Sequence, residues 1–535
     1  MATAHPTIHQ RRIVVAAAIC VAAFALLGVR LVDISVFKGN VSGVSGTAGD
    51  DVMRVRADIV DRNGELLARD LPVYDVYARP HAFWDRKEAA HDLSLATGAN
   101  EKRLERIFNS KHTYVLVARR LTPAKQDKVM QLGLPGLDFV QADKRFYPKG
   151  RAAVQVIGTT DPDGNGLTGL EYGLNRRLEN AEPGDQVKLS LDMRVQFALS
   201  HELEMSREEF NARAAGGIVM NVNNGEILAM ASLPDSTFGT LPPGVDPRRN
   251  RMTQDVYELG SVFKLFAFAL AMEDHTARLD EMLPISAGYR MGRFVIRDAE
   301  RLPAMLSVRD VLAVSSNVGT VQIALRSGPA RQQAFLRNMG LLDAAQLEVP
   351  ESARPLTPRN WGPVETATIG FGHGISVSPV AFATAASILV NGGRRITPTF
   401  LKRAPDTRGE QVIKPETSAT MRQLLRYVVT NGTGRSADVP GYEVGGKTGS
   451  AEKPGKHGYV EHKLLTSFCA VFPISNPKYL VFVLMDEPHG TKKTFGFALA
   501  AYTAAPAARR VIARIAPMMG MPPTEPVQLA AKEIP

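Results

Sequence analysis

Ser261 and Lys264 stand three residues apart in Tyr257-Glu-Leu-Gly-Ser-Val-Phe-Lys264, and the eight residues that follow, Leu265 to Met272, are apolar. An apolar run with no polar face belongs to a helix in the middle of a domain. Three residues is close to one helical turn, so the hydroxyl and the amine share a face. Burial drives a lysine toward its neutral amine. A neutral amine beside a serine hydroxyl is a weak nucleophile with its base at hand. Alone, the pair also describes a helix cap and a lysine that snorkels to solvent. Two later stretches decide between these readings.

Ser315-Ser316-Asn317 is a polar interruption inside the apolar stretch Asp310–Thr320. Lys447-Thr448-Gly449-Ser450 ends the strand-like Val444-Gly445-Gly446, whose glycines admit a close backbone approach. The spacings are 54 residues (261 to 315) and 132 (315 to 447). Each motif is common by itself, but the ordered triple resembles that of the penicillin-recognising serine acyl-transferases. The resemblance implies Ser261 as nucleophile and Lys264 as base, with Lys447 as a second cation that disfavours charge on Lys264. Ser315 would pass the proton to the leaving amine, and Asn317 would hold a substrate amide. The backbone N–H groups of Ser261 and Ser450 would form the oxyanion hole. Thr448, Gly449 and Ser450 would bind substrate as an added strand, with Lys447 and Thr448 meeting its terminal carboxylate. No metal or other cofactor is expected.

These residues need a scaffold. The 535-residue chain is 44% hydrophobic and 22% charged, the composition of a protein with real cores and more than one domain. Its net charge is +10, but the basic residues are scattered without aromatic interleaving, so no nucleic-acid partner is expected. The two cysteines, Cys20 and Cys469, are not expected to pair.

Residues 1–12 read as a cytoplasmic tail. Ile13 to Val29 is an uninterrupted run of small and apolar residues, and an uncleaved transmembrane anchor is expected over 13–36. A flexible linker follows over 37–53. From Arg54 the residues alternate around Asn63-Gly64, a hairpin signal. Helical patterns lie near 86–98 and 121–132. The hairpin with Asp61-Arg-Asn-Gly64, and then Arg145-Phe-Tyr-Pro148 and Gly166–Glu171, resemble the N-terminal module of class B penicillin-binding proteins. Glu171 reads as structural.

Pro183-Gly184-Asp185 marks the boundary, giving a pedestal over 54–184 and a catalytic domain over 185–516. A helix is expected through 196–210 and a hairpin over 216–232 with its turn at Asn224-Gly225. His373, between two glycines, reads as a turn residue. Antiparallel strands are expected at 466–474 and 479–486, an Ala-rich helix near 498–514, and a disordered tail over 517–535. The expected fold is therefore α+β: one transmembrane helix, an elongated α+β pedestal, and a β-lactamase-like transpeptidase domain with an antiparallel sheet flanked by helices.

The resemblance spans about residues 54–515. It implies a serine D,D-transpeptidase that cross-links peptidoglycan stem peptides and is acylated by β-lactams. Its place would be the inner membrane, single-pass, with the N-terminus cytoplasmic and the catalytic domain periplasmic. Arg145-Phe-Tyr-Pro148 and the modest length resemble the septal, cell-division enzymes more than the elongation ones. The implied partners are a membrane glycan polymerase of the SEDS type and other division proteins. Val262 and Ser450 depart from the usual motif residues, a hydroxyl residue and threonine, and altered β-lactam affinity is expected. A bifunctional glycosyltransferase is disfavoured because the segment before Ser261 reads as pedestal. A β-lactamase would need a deacylating carboxylate that no residue clearly supplies. An inert membrane-anchored scaffold would have lost Ser261, Lys264 or Lys447.

Overall fold

The computed structural model describes residues 56–524 except 151, 183, 236–245, 247–248, 293 and 456–457. The anchor and linker fall outside the described residues. Among these, no helix is long and apolar enough to cross a membrane.

The expected hairpin around Asn63-Gly64 joins β1 (Asp58–Val60) to β2 (Leu66–Ala78). The Asp61 carboxylate closes its turn by accepting the N–H groups of Asn63 (2.7 Å) and Glu65 (2.9 Å). Strands β3 (Val115–Leu121) and β4 (Leu137–Phe146) both pair antiparallel with β2. Helices α1 (Arg86–Thr97), α2 (Glu101–Phe108) and α3 (Pro123–Gln131) cover this sheet. The sequence pattern marks α1 and α3 but not α2, which is only eight residues long and highly charged.

The segment after Pro183-Gly184-Asp185 returns to this module. Strand β5 (Gln186–Lys188) lies parallel to β1, with Ile59 opposite Val187. The root of the module shares one apolar core with the catalytic fold: Ile59, Leu67, Val156, Leu170 and Val187 pack in the cluster that also holds Phe266 and Phe482.

Helix α4 (Met193–Glu209) begins at Asp192, whose side chain accepts the Arg194 N–H. The hairpin of β6 (Ala214–Asn221) and β7 (Ile227–Leu233) turns at Asn224-Gly225 as expected. After α5 (Lys264–Glu273) come four short strands, β8 (Met282–Pro284), β9 (Tyr289–Met291), β10 (Phe294–Ile296) and β11 (Met305–Ser307). Next are α6 (Val308–Val314), α7 (Asn317–Ser327), α8 (Pro379–Val390) and α9 (Pro415–Asn431).

Strands β12 (Gly445–Gly455), β13 (Gly458–Phe472) and β14 (Tyr479–Asp486) complete a five-stranded antiparallel sheet in the order β12-β13-β14-β6-β7. β14 is apolar at successive positions because both its faces are covered. Leu480, Phe482 and Leu484 face the core of α5 and α8, while Val481, Val483 and Met485 face α4 and the last helix, α10 (Ala504–Met518). That helix starts later than its Ala-rich pattern suggested, and it runs through Pro517. Beyond it, the Thr524 N–H reaches the Gly441 carbonyl at 2.7 Å.

Candidate active site

Ser261 lies in a single 3-10 turn, Gly260–Phe263, that leads directly into α5. This turn sits against the free edge of the sheet. A Cβ on Gly449 would lie 2.6 Å from the Leu259 carbonyl oxygen, and one on Gly260 would lie 2.7 Å from that of Ser450. Only glycines let helix start and strand edge approach this closely, and Gly260 also needs its φ of +60°. The Gly370–Gly374 loop closes the other side, where the Gly260 N–H donates to the Gly372 carbonyl at 3.3 Å. Ser261 is half-buried, and Lys264 is fully buried at the head of the apolar helix.

Ser315 is the meeting point. It terminates α6 in the left-handed conformation, φ +64°. Lys264 Nζ donates to its carbonyl at 2.5 Å and lies 3.2 Å from its Oγ. Lys447 Nζ reaches the same Oγ at 2.9 Å and the Thr448 carbonyl at 3.0 Å. Two amines from a helix and a strand thus converge on one hydroxyl. Burial lowers the Lys264 pKa to about 7, opposed by the negative charge of Asp298. Lys447 is also pushed well down, first by burial and then by Lys264. Burial is the larger cause for both amines, and the repulsion between the two neighbouring cations adds to it, as expected.

Thr448 continues the polar line. Its Oγ1 lies 2.7 Å from the Thr433 hydroxyl, and the Thr433 N–H is anchored on the Ala313 carbonyl at 3.0 Å. Thr433 was not singled out from sequence; its only signal was a Gly/Thr-rich loop just before the Lys-Thr-Gly strand. Gly449 has its packing role on Leu259. The Ser450 hydroxyl accepts the Ala500 N–H at 3.0 Å, so its side chain anchors the segment before α10. That segment exposes Phe495 and a stacked Phe497–Tyr502 pair, centroids 5.4 Å apart, where a helix was expected to begin. Asn317 opens α7 beside Ser315, and its amide makes one long bond, 3.5 Å, to the Arg297 carbonyl.

His373 stays outside this network. Its ring packs tilted against Phe371 and edge-on against Tyr459, with centroids at 5.2 and 5.0 Å, and its Nδ1 lies 3.8 Å from Glu258. Burial and then Lys264 lower its pKa to about 4, so the ring is neutral at ordinary pH. Away from this network, Glu171 is fully buried and holds two arginines, Arg56 at 2.7 Å and Arg145 at 2.8 Å. Arg145 also donates to Asp70, and Tyr147 to Glu171, so the Arg145-Phe-Tyr-Pro148 stretch serves this structural cluster. Among the described residues no group of His, Cys, Asp and Glu is arranged to hold a metal ion.

A half-buried serine at a helix start, two buried lysines sharing one hydroxyl and a free strand edge define a serine acyl-transferase site. Residues 215–510 match the penicillin-binding protein transpeptidase domain family, and residues 54–187 match the penicillin-binding protein dimerisation domain family. The chain belongs to the class B penicillin-binding proteins, as a peptidoglycan D,D-transpeptidase of the FtsI type. It is 40% identical to the probable peptidoglycan D,D-transpeptidase FtsI of Caulobacter vibrioides, over 90% of this chain and 84% of that protein. It is 31% identical to the probable peptidoglycan D,D-transpeptidase PenA of Neisseria gonorrhoeae, over 90% of this chain and 87% of that one. The fold is that of penicillin-binding protein 3 from Mycobacterium tuberculosis, solved as the apo form. That likeness has a TM-score of 0.67 at 25% identity and covers 88% of this chain and 98% of that one.

Proposed function

We propose that the chain cross-links peptidoglycan stem peptides at the division septum through an acyl-enzyme on Ser261. The observation that carries the residue roles is the convergence of Lys264 Nζ and Lys447 Nζ on Ser315 Oγ, at 3.2 and 2.9 Å.

In this reading the donor peptide lies along β12, whose outer edge no strand covers among the described residues. Its terminal carboxylate meets Lys447, Thr448 and the adjoining Thr433 hydroxyl. Lys264, neutral, takes the Ser261 proton as Oγ attacks the penultimate D-Ala carbonyl. The oxygen becomes an anion between the N–H groups of Ser261 and Ser450. Collapse breaks the C–N bond, and the proton held by Lys264 passes through Ser315 Oγ to the departing D-Ala amine. Asn317 holds the donor's amide during both halves. The acceptor amine then attacks the acyl-enzyme in the reverse sequence: its proton passes through Ser315 Oγ to Lys264, and Lys264 returns a proton to Ser261 Oγ as the acyl C–O bond breaks. Gly449 supplies no chemistry; its lack of a side chain keeps the strand against the nucleophile's turn.

β-Lactams fit the same geometry as acylating agents. An inner-membrane anchor before residue 54, with the catalytic domain periplasmic, suits a substrate outside the membrane. A SEDS-type glycan polymerase and other division proteins belong to this reading as partners.

A fluorescent penicillin should label the wild type covalently and leave Ser261→Ala unlabelled; equal labelling of both would end the mechanism. Depletion should give filamentous cells, and round cells would move the reading to elongation.

A further inference from the structure

The residue that organises the middle motif lies outside all three motifs. Asp298 sits in the connection between β10 and β11, half-buried. Its Oδ1 accepts the backbone N–H groups of Asn317 and, at 3.2 Å, Val318. Its Oδ2 accepts the Ser316 hydroxyl at 2.8 Å, while Ser316 Oγ itself caps the Gly319 N–H at 3.0 Å. One carboxylate therefore satisfies the first turn of α7, where orphan N–H groups and the helix dipole favour negative charge. The residue immediately before this cap is Ser315, held at positive φ with both lysines on its oxygens. A serine keeps that conformation only where its surroundings over-determine it. The end of α6 restrains it from one side and Asp298, through Ser316 and Asn317, from the other.

We propose that Asp298 is a positioning residue for acyl transfer: it holds Ser315 between the two lysines by locking the start of α7, and it supplies a negative charge facing Lys264. The titratable groups around that amine are Lys447 on β12, His373 on the glycine-rich loop and Asp298. Helices α7 and α9 share the apolar core with α5 through side chains such as Val318, Ile323, Met421 and Leu425. The carboxylate opposes what burial does to Lys264. Too little negative charge leaves an amine too weakly basic to take the serine proton, and too much leaves it protonated.

The inference rests on the acyl-transfer reading and is tested on the full chain with a fluorescent penicillin. The second-order acylation rate constant is measured across about pH 5 to 9, where a lysine near neutrality titrates. Asp298→Asn keeps an oxygen for the cap and loses the charge. Its acid limb should move to lower pH by about half a unit or more, because the protonated amine loses a favourable neighbour. Its plateau should fall about 10-fold. Asp298→Glu keeps the charge and should retain the wild-type limb. Ser316→Ala loosens the cap without touching the charge, and should lower the plateau with the limb in place. Thermal unfolding is followed alongside; if Asp298→Asn does not fold, Asp298→Thr carries the same prediction. A limb that stays put in the charge-removing variants, or one that moves equally in Ser316→Ala, overturns the proposal. A wild type that takes no penicillin would instead overturn the acyl-transfer reading itself.

Discussion

Ser315 Oγ can serve both lysines only because its backbone is turned out of the helix ahead of it, and its chemistry depends on which amine carries a proton. Lys264, with a pKa lowered to about 7, is neutral above that pH and charged below it. Only the neutral form accepts the serine proton, so the acylation rate should rise with pH through about 7 and level off above it. A stopped-flow titration with a β-lactam checks this, and a profile flat from acid to alkaline pH would contradict it. Lys264→Arg should cost about 100- to 10,000-fold, because guanidinium stays protonated throughout. Penicillin labelling at matched time points reads that loss. The motif residues were all legible in the sequence, since their types suit the chemistry and their order resembles the family's motif set. Asp298 was not, because a carboxylate in a loop carries no periodicity or spacing that marks it, and Thr433 showed only as part of the Gly/Thr-rich loop before the Lys-Thr-Gly strand.

At the scale of elements, the site is the contact of a helix start with a sheet edge. That contact exists because Gly260 and Gly449 leave no atoms between them. Gly260→Ala would place a Cβ 2.7 Å from the Ser450 carbonyl oxygen at a φ of +60°. The strain and the displacement together should cost about 1–3 kcal/mol of stability. They should also slow acylation by about 100-fold, the scale expected when a reacting group shifts by roughly an ångström. Urea unfolding and the acylation rate measure the two effects separately, and an unchanged rate would show that the turn tolerates the shift. Both hairpins were readable from their Asn-Gly turns, a local signal, the first within an alternating stretch and the second between apolar runs. The start of α10 was not. Phe495, Phe497 and Tyr502 interrupt the Ala-rich pattern there, and the Ala500 N–H is drawn to Ser450 in strand β12.

Over the whole molecule, the pedestal does not stand apart from the catalytic fold. Its first strand pairs with β5, and Ile59, Leu67 and Val187 are buried in the same core as the helix of Lys264. Glu171 locks this root by holding Arg56 and Arg145, with side chains 0%, 4% and 2% exposed. Glu171→Ala leaves two buried guanidinium groups without their shared carboxylate and should cost about 3–5 kcal/mol. Chemical denaturation checks this, and a loss below about 1 kcal/mol would mean the arginines find other partners.

By itself the sequence pointed to the chemistry: a serine, two lysines and a second serine, in an order that resembles the penicillin-recognising acyl-transferases, on segments whose apolar run makes a buried helix and whose glycines make a close strand. Local rules carry that much, because spacing along a helix or strand is set by neighbouring residues. Only the tertiary structure decided that the Ser315 hydroxyl lies between amines 51 and 132 residues away, which charge faces Lys264, and that the pedestal's root is part of the catalytic core. Those are contacts between distant segments, chosen by burial and packing.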